Sequence, residues 1–245
     1  MDIAIISGAS SGIGYCIAKE IDKLFFDEIW LISSSEAKLN RVSQELNTKS
    51  RIFALDLSQN NSLDIVSNAL DEEKPNIKYL ICSAGVGYNG NFEDISCEQA
   101  SKMIDINVRA LTELTTRALP YIRKNGKIIE IASSAGFMPQ PSFAVYSATK
   151  SYVISFSRAI AYELKAQGIS VTAVCPGPVD TPFFSGLENV KEYKKKYAIS
   201  PELVAKKAMK SSKKGKFLCV PTFSMKMVLL ASKIIPISII MKFYK

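Results

Sequence analysis

The chain has 245 residues, 47% of them hydrophobic, which suits one globular domain of ordinary size spanning 1–245. Its 31 basic and 23 acidic side chains give a net charge of +8, and it has no histidine, which excludes Ser-His-Asp hydrolysis, histidine metal sites and imidazole acid–base chemistry. The five cysteines, Cys16, Cys82, Cys97, Cys175 and Cys219, form no C-x-x-C pair, so no metal site is expected and a reducing cytoplasm fits.

The first strand is expected at Ile3–Ile6, which leaves no room before it for a targeting segment. Ser7-Gly8-Ala9-Ser10-Ser11-Gly12-Ile13-Gly14 follows, and then a helix-like run from Ile17 to Ile21. Strand, glycine turn and helix are the context that a dinucleotide loop needs. Gly8 permits the turn, Gly12 lets a pyrophosphate approach the backbone, and Gly14 lets helix and strand pack closely. Further strands are expected at Ile29–Ile32, Ile52–Leu55, Tyr79–Cys82, Ile128–Ala132, Val171–Val174 and Phe217–Val220. Helical stretches separate them, the rhythm of a parallel α/β sheet. Ser7, Ser33, Asp56, Cys82, Ser133 and Pro176 fall at carboxyl ends of these strands, so they converge on one crevice.

Two later motifs carry chemistry. Tyr146-Ser147-Ala148-Thr149-Lys150 puts a phenol and an ammonium one helical turn apart, with Ser133 thirteen residues upstream. A cation there is expected to favour the phenolate and lower the tyrosine pKa. Glu130 stands inside the apolar run Ile128-Ile129-Glu130-Ile131, where a buried carboxylate is costly. Charge is uneven: residues 1–185 hold 17 basic and 20 acidic groups, whereas residues 186–245 hold 14 lysines and 3 glutamates. Lys191, Lys194, Lys195 and Lys196 form the densest part, which reads as a solvated lysine-rich face; the functional alternatives are an anionic substrate or carrier, or a membrane surface, ahead of nucleic acid. The apolar stretch 222–245, interrupted by Pro236 and by lysines, reads as a C-terminal lid or an interfacial amphipathic helix.

Together the glycine loop and the Y-S-A-T-K motif resemble the short-chain dehydrogenase/reductase family in its compact form, and the resemblance covers nearly the whole chain. Asp56-Leu57-Ser58 matches the adenine-contacting segment. Cys82-Ser83-Ala84-Gly85 stands where the family usually has Asn-Asn-Ala-Gly, and Ser7 where it usually has threonine. Asn107 matches the helix asparagine, Ile131-Ala132-Ser133-Ser134-Ala135-Gly136 the serine motif, and Pro176-Gly177-Pro178-Val179-Asp180-Thr181 the segment that holds the nicotinamide. Glu130 replaces a position where the family tends to have asparagine.

The resemblance implies a doubly wound Rossmann fold, with a parallel sheet of about seven strands and helices on both faces. It implies a catalytic set of Asn107, Ser133, Tyr146 and Lys150, in which Tyr146 exchanges a proton with a carbonyl or alcohol, Ser133 holds the oxygen, Lys150 holds the nicotinamide ribose, and Asn107 holds a water. A nicotinamide cofactor would be held by Gly8, Ser10, Ser11, Gly12, Ile13, Gly14, Ser33, Ser34, Asp56, Leu57, Ser83, Ala84, Gly85, Tyr146, Lys150, Pro176, Gly177, Val179 and Thr181. With no acid at Ser33 or Ser34 to repel a 2′-phosphate, NADP(H) is expected over NAD(H), although the usual arginine is absent and Lys38 or Arg41 would have to substitute. Residues 183–215 correspond to a substrate lid. Val86, Phe137, Met138, Phe143, Phe183 and Phe184 would bound an apolar substrate hole around Ser133 and Tyr146, suited to a ketone or secondary alcohol such as a hydroxysteroid or a 3-oxoacyl chain. A dimer or tetramer is the family habit. The alternative function is a non-catalytic NAD(P)-binding sensor or scaffold on the same fold.

Overall fold

A computed structural model describes residues 1–185, 187 and 197–242, with Phe184 and Ser185 described by their backbone alone. Lys191, Lys194, Lys195 and Lys196, the Phe184 side chain and much of the expected lid lie outside the described residues.

Seven strands form one parallel sheet in the order β3-β2-β1-β4-β5-β6-β7. They are β1 Asp2–Ser7, β2 Glu28–Ser33, β3 Ser50–Ala54, β4 Asn76–Cys82, β5 Ile122–Ile131, β6 Ser170–Val174 and β7 Leu218–Cys219. Alternate side chains of each strand enter opposite cores. Ile3 and Ile5 of β1 join the core under helices α3 (Asp64–Glu73), α5 (Leu111–Ala118) and α6 (Ala144–Glu163). Ala4 and Ile6 join the core under α1 (Gly12–Ile21), α2 (Glu36–Gln44) and α8 (Pro201–Lys213). Both faces are therefore covered, which is why these strands read as near-continuous apolar runs.

The chain order reverses between β1 and β4, and ligands of such sheets sit in the crevice beyond that point. A charge cluster ties β2 to the edge strand β3. Glu28, 2% exposed, accepts from the Trp30 indole at 2.7 Å and faces Lys49 at 2.9 Å and Arg51 at 3.3 Å.

α4 (Cys97–Ile104) runs into α5 through a π-helical segment, Asp105–Ala110, that carries Asn107. Such wider turns concentrate at functional sites. α7 is short, Pro182–Ser185. The apolar C-terminal stretch divides at Pro236 into α9 (Phe223–Ile234) and α10 (Ile237–Lys242), neither with a fully buried side chain. Among the described residues, no helix is long and apolar enough to cross a membrane.

Candidate active site

The glycine turn between β1 and α1 is shaped by what cannot fit there. Gly8 has φ +67, and a Cβ on it would lie 2.6 Å from the Ala84 amide nitrogen. A Cβ on Gly14 would lie 2.2 Å from the Gly8 carbonyl oxygen. The Ser7 hydroxyl accepts from the amides of Ser83 at 3.2 Å and Ala84 at 3.3 Å, doing the clamping expected of the usual threonine. Ser11 precedes α1 in an extended conformation without capping it through its side chain, and the first turn contains no acid. Its backbone N–H groups are thus open to an anion. A Cβ on Gly12 would stand 3.1 Å from the Thr181 methyl, so the glycine turn and the 176–181 segment are the two lips of one crevice.

The other expected cofactor contacts divide. Ser83, Ala84 and Gly85 follow β4 directly beside the glycine turn. Asp56 stands two residues beyond β3 rather than at its end, exposed, and accepts from the Ser58 amide at 2.9 Å and hydroxyl at 2.7 Å. Those bonds hold its pKa below the usual aspartate value. Arg109, which the sequence did not single out, donates to the carbonyls of Leu57, Ser58 and Gln59 and so fixes this loop. Ser33 is buried and accepts from the Ser35 amide at 3.3 Å, while Ser34 is exposed.

The candidate catalytic side chains do meet. Ser133 lies just past β5, its hydroxyl accepting from the Ala135 amide at 3.1 Å, and Ser134 donates its amide to the Pro176 carbonyl at 2.8 Å. That bond draws the serine turn against the nicotinamide-side segment. The Tyr146 side chain, from the first turn of α6, comes near enough to Ser133 to feel it electrostatically. Lys150 lies one turn on, its Nζ 5.7 Å from the Tyr146 ring centroid and donating to the Ile131 carbonyl at 2.8 Å. Gly136 makes this approach possible, since a Cβ there would lie 2.6 Å from the Lys150 backbone.

One expectation is overturned. The Tyr146 pKa is not lowered; burial pushes it up to about 12, against a smaller opposing effect of nearby Ser133. The reason is geometric: the ammonium lies against the ring and is bound to the Ile131 carbonyl. Burial in turn depresses Lys150 to about 8, with Cys175 and Glu130 acting the other way.

Asn107 is fully buried, and its amide is largely committed. Its Oδ1 accepts from the Val86 amide at 2.9 Å, and its Nδ2 donates to the Val86 carbonyl at 2.9 Å and to Thr149 Oγ1 at 3.1 Å. It braces the loop after β4 against α6 with nearly all its hydrogen-bonding capacity.

Around the Tyr146 ring the walls are aromatic. Phe143 stacks on it at 4.3 Å between centroids, and Phe183 tilts against it at 5.5 Å. Val86, Tyr88, Ile95 and Met103 complete this cluster. Phe137, expected here, is half-buried and packs against the core beneath α6, and Met138 is half-buried on the same turn. Gly87 was missed: a Cβ there would lie 2.7 Å from the Phe183 ring and 3.1 Å from the Tyr146 ring, so only glycine lets the two rings approach. Its signal was the closely spaced pair Gly85 and Gly87.

A family model described as short chain dehydrogenase matches residues 2–192. The chain belongs to the short-chain dehydrogenase family. Among its relatives is an oxidoreductase of Staphylococcus epidermidis, 34% identical over 76% of this chain and 81% of the relative. A very-long-chain 3-oxoacyl-CoA reductase of Mus musculus is 33% identical over 73% of this chain and 59% of that protein. Among solved structures, a 3-ketoacyl-(acyl-carrier-protein) reductase of Brucella melitensis complexed with NADH has a TM-score of 0.78 at 26% identity, covering 89% of this chain and 94% of that one. A short-chain dehydrogenase of Sphingobium yanoikuyae in complex with NADPH, 24% identical, shares the fold with a TM-score of 0.81 over 95% of this chain and 93% of that one. This short-chain dehydrogenase is an oxidoreductase with a Rossmann sheet, and its glycine cradle fits a nicotinamide cofactor.

Proposed function

We propose that this short-chain dehydrogenase interconverts a ketone and a secondary alcohol, using NADP(H) in preference to NAD(H). The observation that carries the reading is the Tyr146 phenol, set between Phe143 and Phe183 near Ser133, with Lys150 beside its ring. When bound, the cofactor supplies or accepts the hydride. Tyr146 keeps its proton at neutral pH, the form that carbonyl reduction needs, and passes it to the substrate oxygen. Ser133 donates a hydrogen bond to the developing alkoxide. Lys150 and the residues of the 176–181 segment orient the nicotinamide end of the crevice. Phe143 and Phe183 exclude water from the reacting carbonyl.

For the substrate, a 3-oxoacyl chain is supported over a hydroxysteroid by the names of the mouse and Brucella relatives together with the apolar walls here. The excess of lysine after residue 185 supports an anionic end to that substrate. NADP(H) preference is supported by the absence of an acid at Ser33 and Ser34. A cytoplasmic setting is supported by five free cysteines. The sensor reading is disfavoured because Asn107, Ser133, Tyr146 and Lys150 are all present and brought together.

The family habit of dimers or tetramers extends to this chain as part of the proposal. So does contact with an anionic membrane surface. Phe223, Met227, Leu230 and Ile234 form one exposed stripe of α9, flanked by Lys226 and Lys233. Co-sedimentation with anionic vesicles, compared with a chain ending at Val220, tests that contact. The catalytic reading is tested by a panel of ketones and alcohols with NADH and NADPH, followed by nicotinamide absorbance. Reduction of 3-oxoacyl thioesters by NADPH is the expected result.

A further inference from the structure

Glu130 lies in the middle of the sheet, on β5, with no exposed surface. Its register partners are Cys82 on β4 and Ala173 on β6. One carboxyl oxygen, Oε1, lies 3.1 Å from Thr115 Oγ1, and Oε2 has no hydrogen-bond partner among the described residues. A hydroxyl has one proton to give. Thr115 lies closer to the Leu111 carbonyl, at 2.8 Å, and a carbonyl can only accept. The proton between Thr115 and Glu130 is therefore best supplied by the carboxyl. A neutral Glu130 completes the chain Glu130 to Thr115 to Leu111, whereas an ionised one would be a buried charge with a single weak donor.

The next residue along β5 is Ile131, whose carbonyl binds the Lys150 ammonium. Glu130 and Lys150 are thus held against the same short stretch of backbone and feel each other's charge. The titratable groups facing Glu130 are Lys150 from α6 and Cys82 from β4. Cys175, at the end of β6, acts on Lys150.

We propose that Glu130 is a positioning residue whose buried carboxyl, once ionised, holds the charge on Lys150 beside it. The known family chemistry does not require a carboxyl here. Burial raises Glu130 to about 8 while Lys150 is held near the same value, so the two exchange charge within one pH range. Once Glu130 ionises, its charge holds the proton on Lys150. The shared burial of the two groups against β5 is what joins them, and the catalytic consequence rests on the role proposed above for Lys150.

The test compares wild type with Glu130→Gln, which keeps the shape and the hydrogen bond to Thr115 but cannot ionise. Lys150 is followed by NMR of its side-chain methylene, assigned with Lys150→Arg. In Glu130→Gln the Lys150 titration should move to lower pH by about one unit or more, the scale of a neighbouring opposite charge. An unmoved titration overturns the proposal. A second measurement needs no variant: in wild type labelled at glutamate carboxyls, one resonance should titrate far above the ordinary glutamate range. If none does, the proposal is overturned whether or not Glu130→Gln folds. With an active substrate in hand, the alkaline limb of kcat/KM should fall at lower pH in Glu130→Gln by the same shift. A moved Lys150 titration with an unmoved limb overturns the positioning role. Absence of turnover on every ketone refutes the proposed function, while the NMR measurements still decide the coupling.

Discussion

Gly14→Ala tests whether the glycine cradle is built for a cofactor or is only a tight turn. The added Cβ would lie 2.2 Å from the Gly8 carbonyl oxygen and 2.8 Å from the Gly8 carbonyl carbon. Ordinary carbon–oxygen contacts are about 3.3–3.6 Å. Both clashing atoms are backbone, so the turn itself must move by about 1 Å. Alanine gains about 1 kcal/mol over glycine as a helical residue, while overpacking costs about 1–3 kcal/mol. The overpacking term wins, and a net loss of up to about 2 kcal/mol follows, or roughly 4–8 °C in Tm at about 2–4 °C per kcal/mol for a chain of this size. A displacement of that size in the phosphate-facing turn should also weaken NADPH binding at least about tenfold, or 1.4 kcal/mol. Gly215→Ala is the control. It has φ +62 and nothing within 4 Å, so it loses only the left-handed backbone cost of about 1–2 kcal/mol and should bind NADPH normally. Thermal melts and fluorescence titration with NADPH measure both quantities. If Gly14→Ala binds NADPH as tightly as wild type, the cradle argument fails.

Three further outcomes are expected. Glu28→Gln should cost about 2 kcal/mol at neutral pH, the worth of a charge-assisted hydrogen bond. Burial alone would raise the Glu28 pKa, but Lys49, Trp30 and Arg51 outweigh it and hold it below the usual value; its contribution is therefore present above the unfolded pKa and disappears as pH falls through the folded one. Denaturant melts of both proteins should converge in acid, and a gap that persists there refutes the assignment. Ser33→Asp should move cofactor preference towards NADH, because its carboxylate would repel a 2′-phosphate; wild type binding NADH at least as tightly as NADPH would remove the basis for the expectation. Phe183→Ala should open one wall over Tyr146 and raise KM for a long-chain ketone about tenfold, or 1.4 kcal/mol, with little change for a short one; equal effects on both would mean that Phe183 is core.

The apolar runs made the sheet legible, since buried parallel strands leave little choice of residue. Ile3–Ile6, Ile29–Ile32 and Val171–Val174 each fall inside the observed strands. What was lost were polar strand ends. Ser50 and Arg51 open β3, Asn76 opens β4, and Arg123 to Lys127 lengthen β5 through Asn125 at φ 71. Apart from the buried Gly126, these positions are partly or fully exposed at the rim of the sheet, where hydrophobicity no longer reports pairing. Motif spacing predicted that Ser133, Tyr146 and Lys150 would lie near one another, because helical and strand-end geometry fixes their relative positions. It could not give the direction of the Tyr146 pKa, which depends on burial and on which carbonyl captures Lys150. Nor could it reveal that Phe137 packs against the core, that Gly87 spaces two rings, or that Glu130 shares its surroundings with Lys150; each is decided by contacts between distant segments.

The central claim is that the Tyr146 phenol transfers the proton, and one substitution tests it most directly. Tyr146→Phe removes a single oxygen and leaves the ring between Phe143 and Phe183. The variant should keep the wild-type melting profile and NADPH affinity while kcat for the best ketone of the panel falls by roughly 10²–10⁴-fold, the contribution of a positioned acid–base group. Turnover by Tyr146→Phe at the wild-type rate would contradict the account.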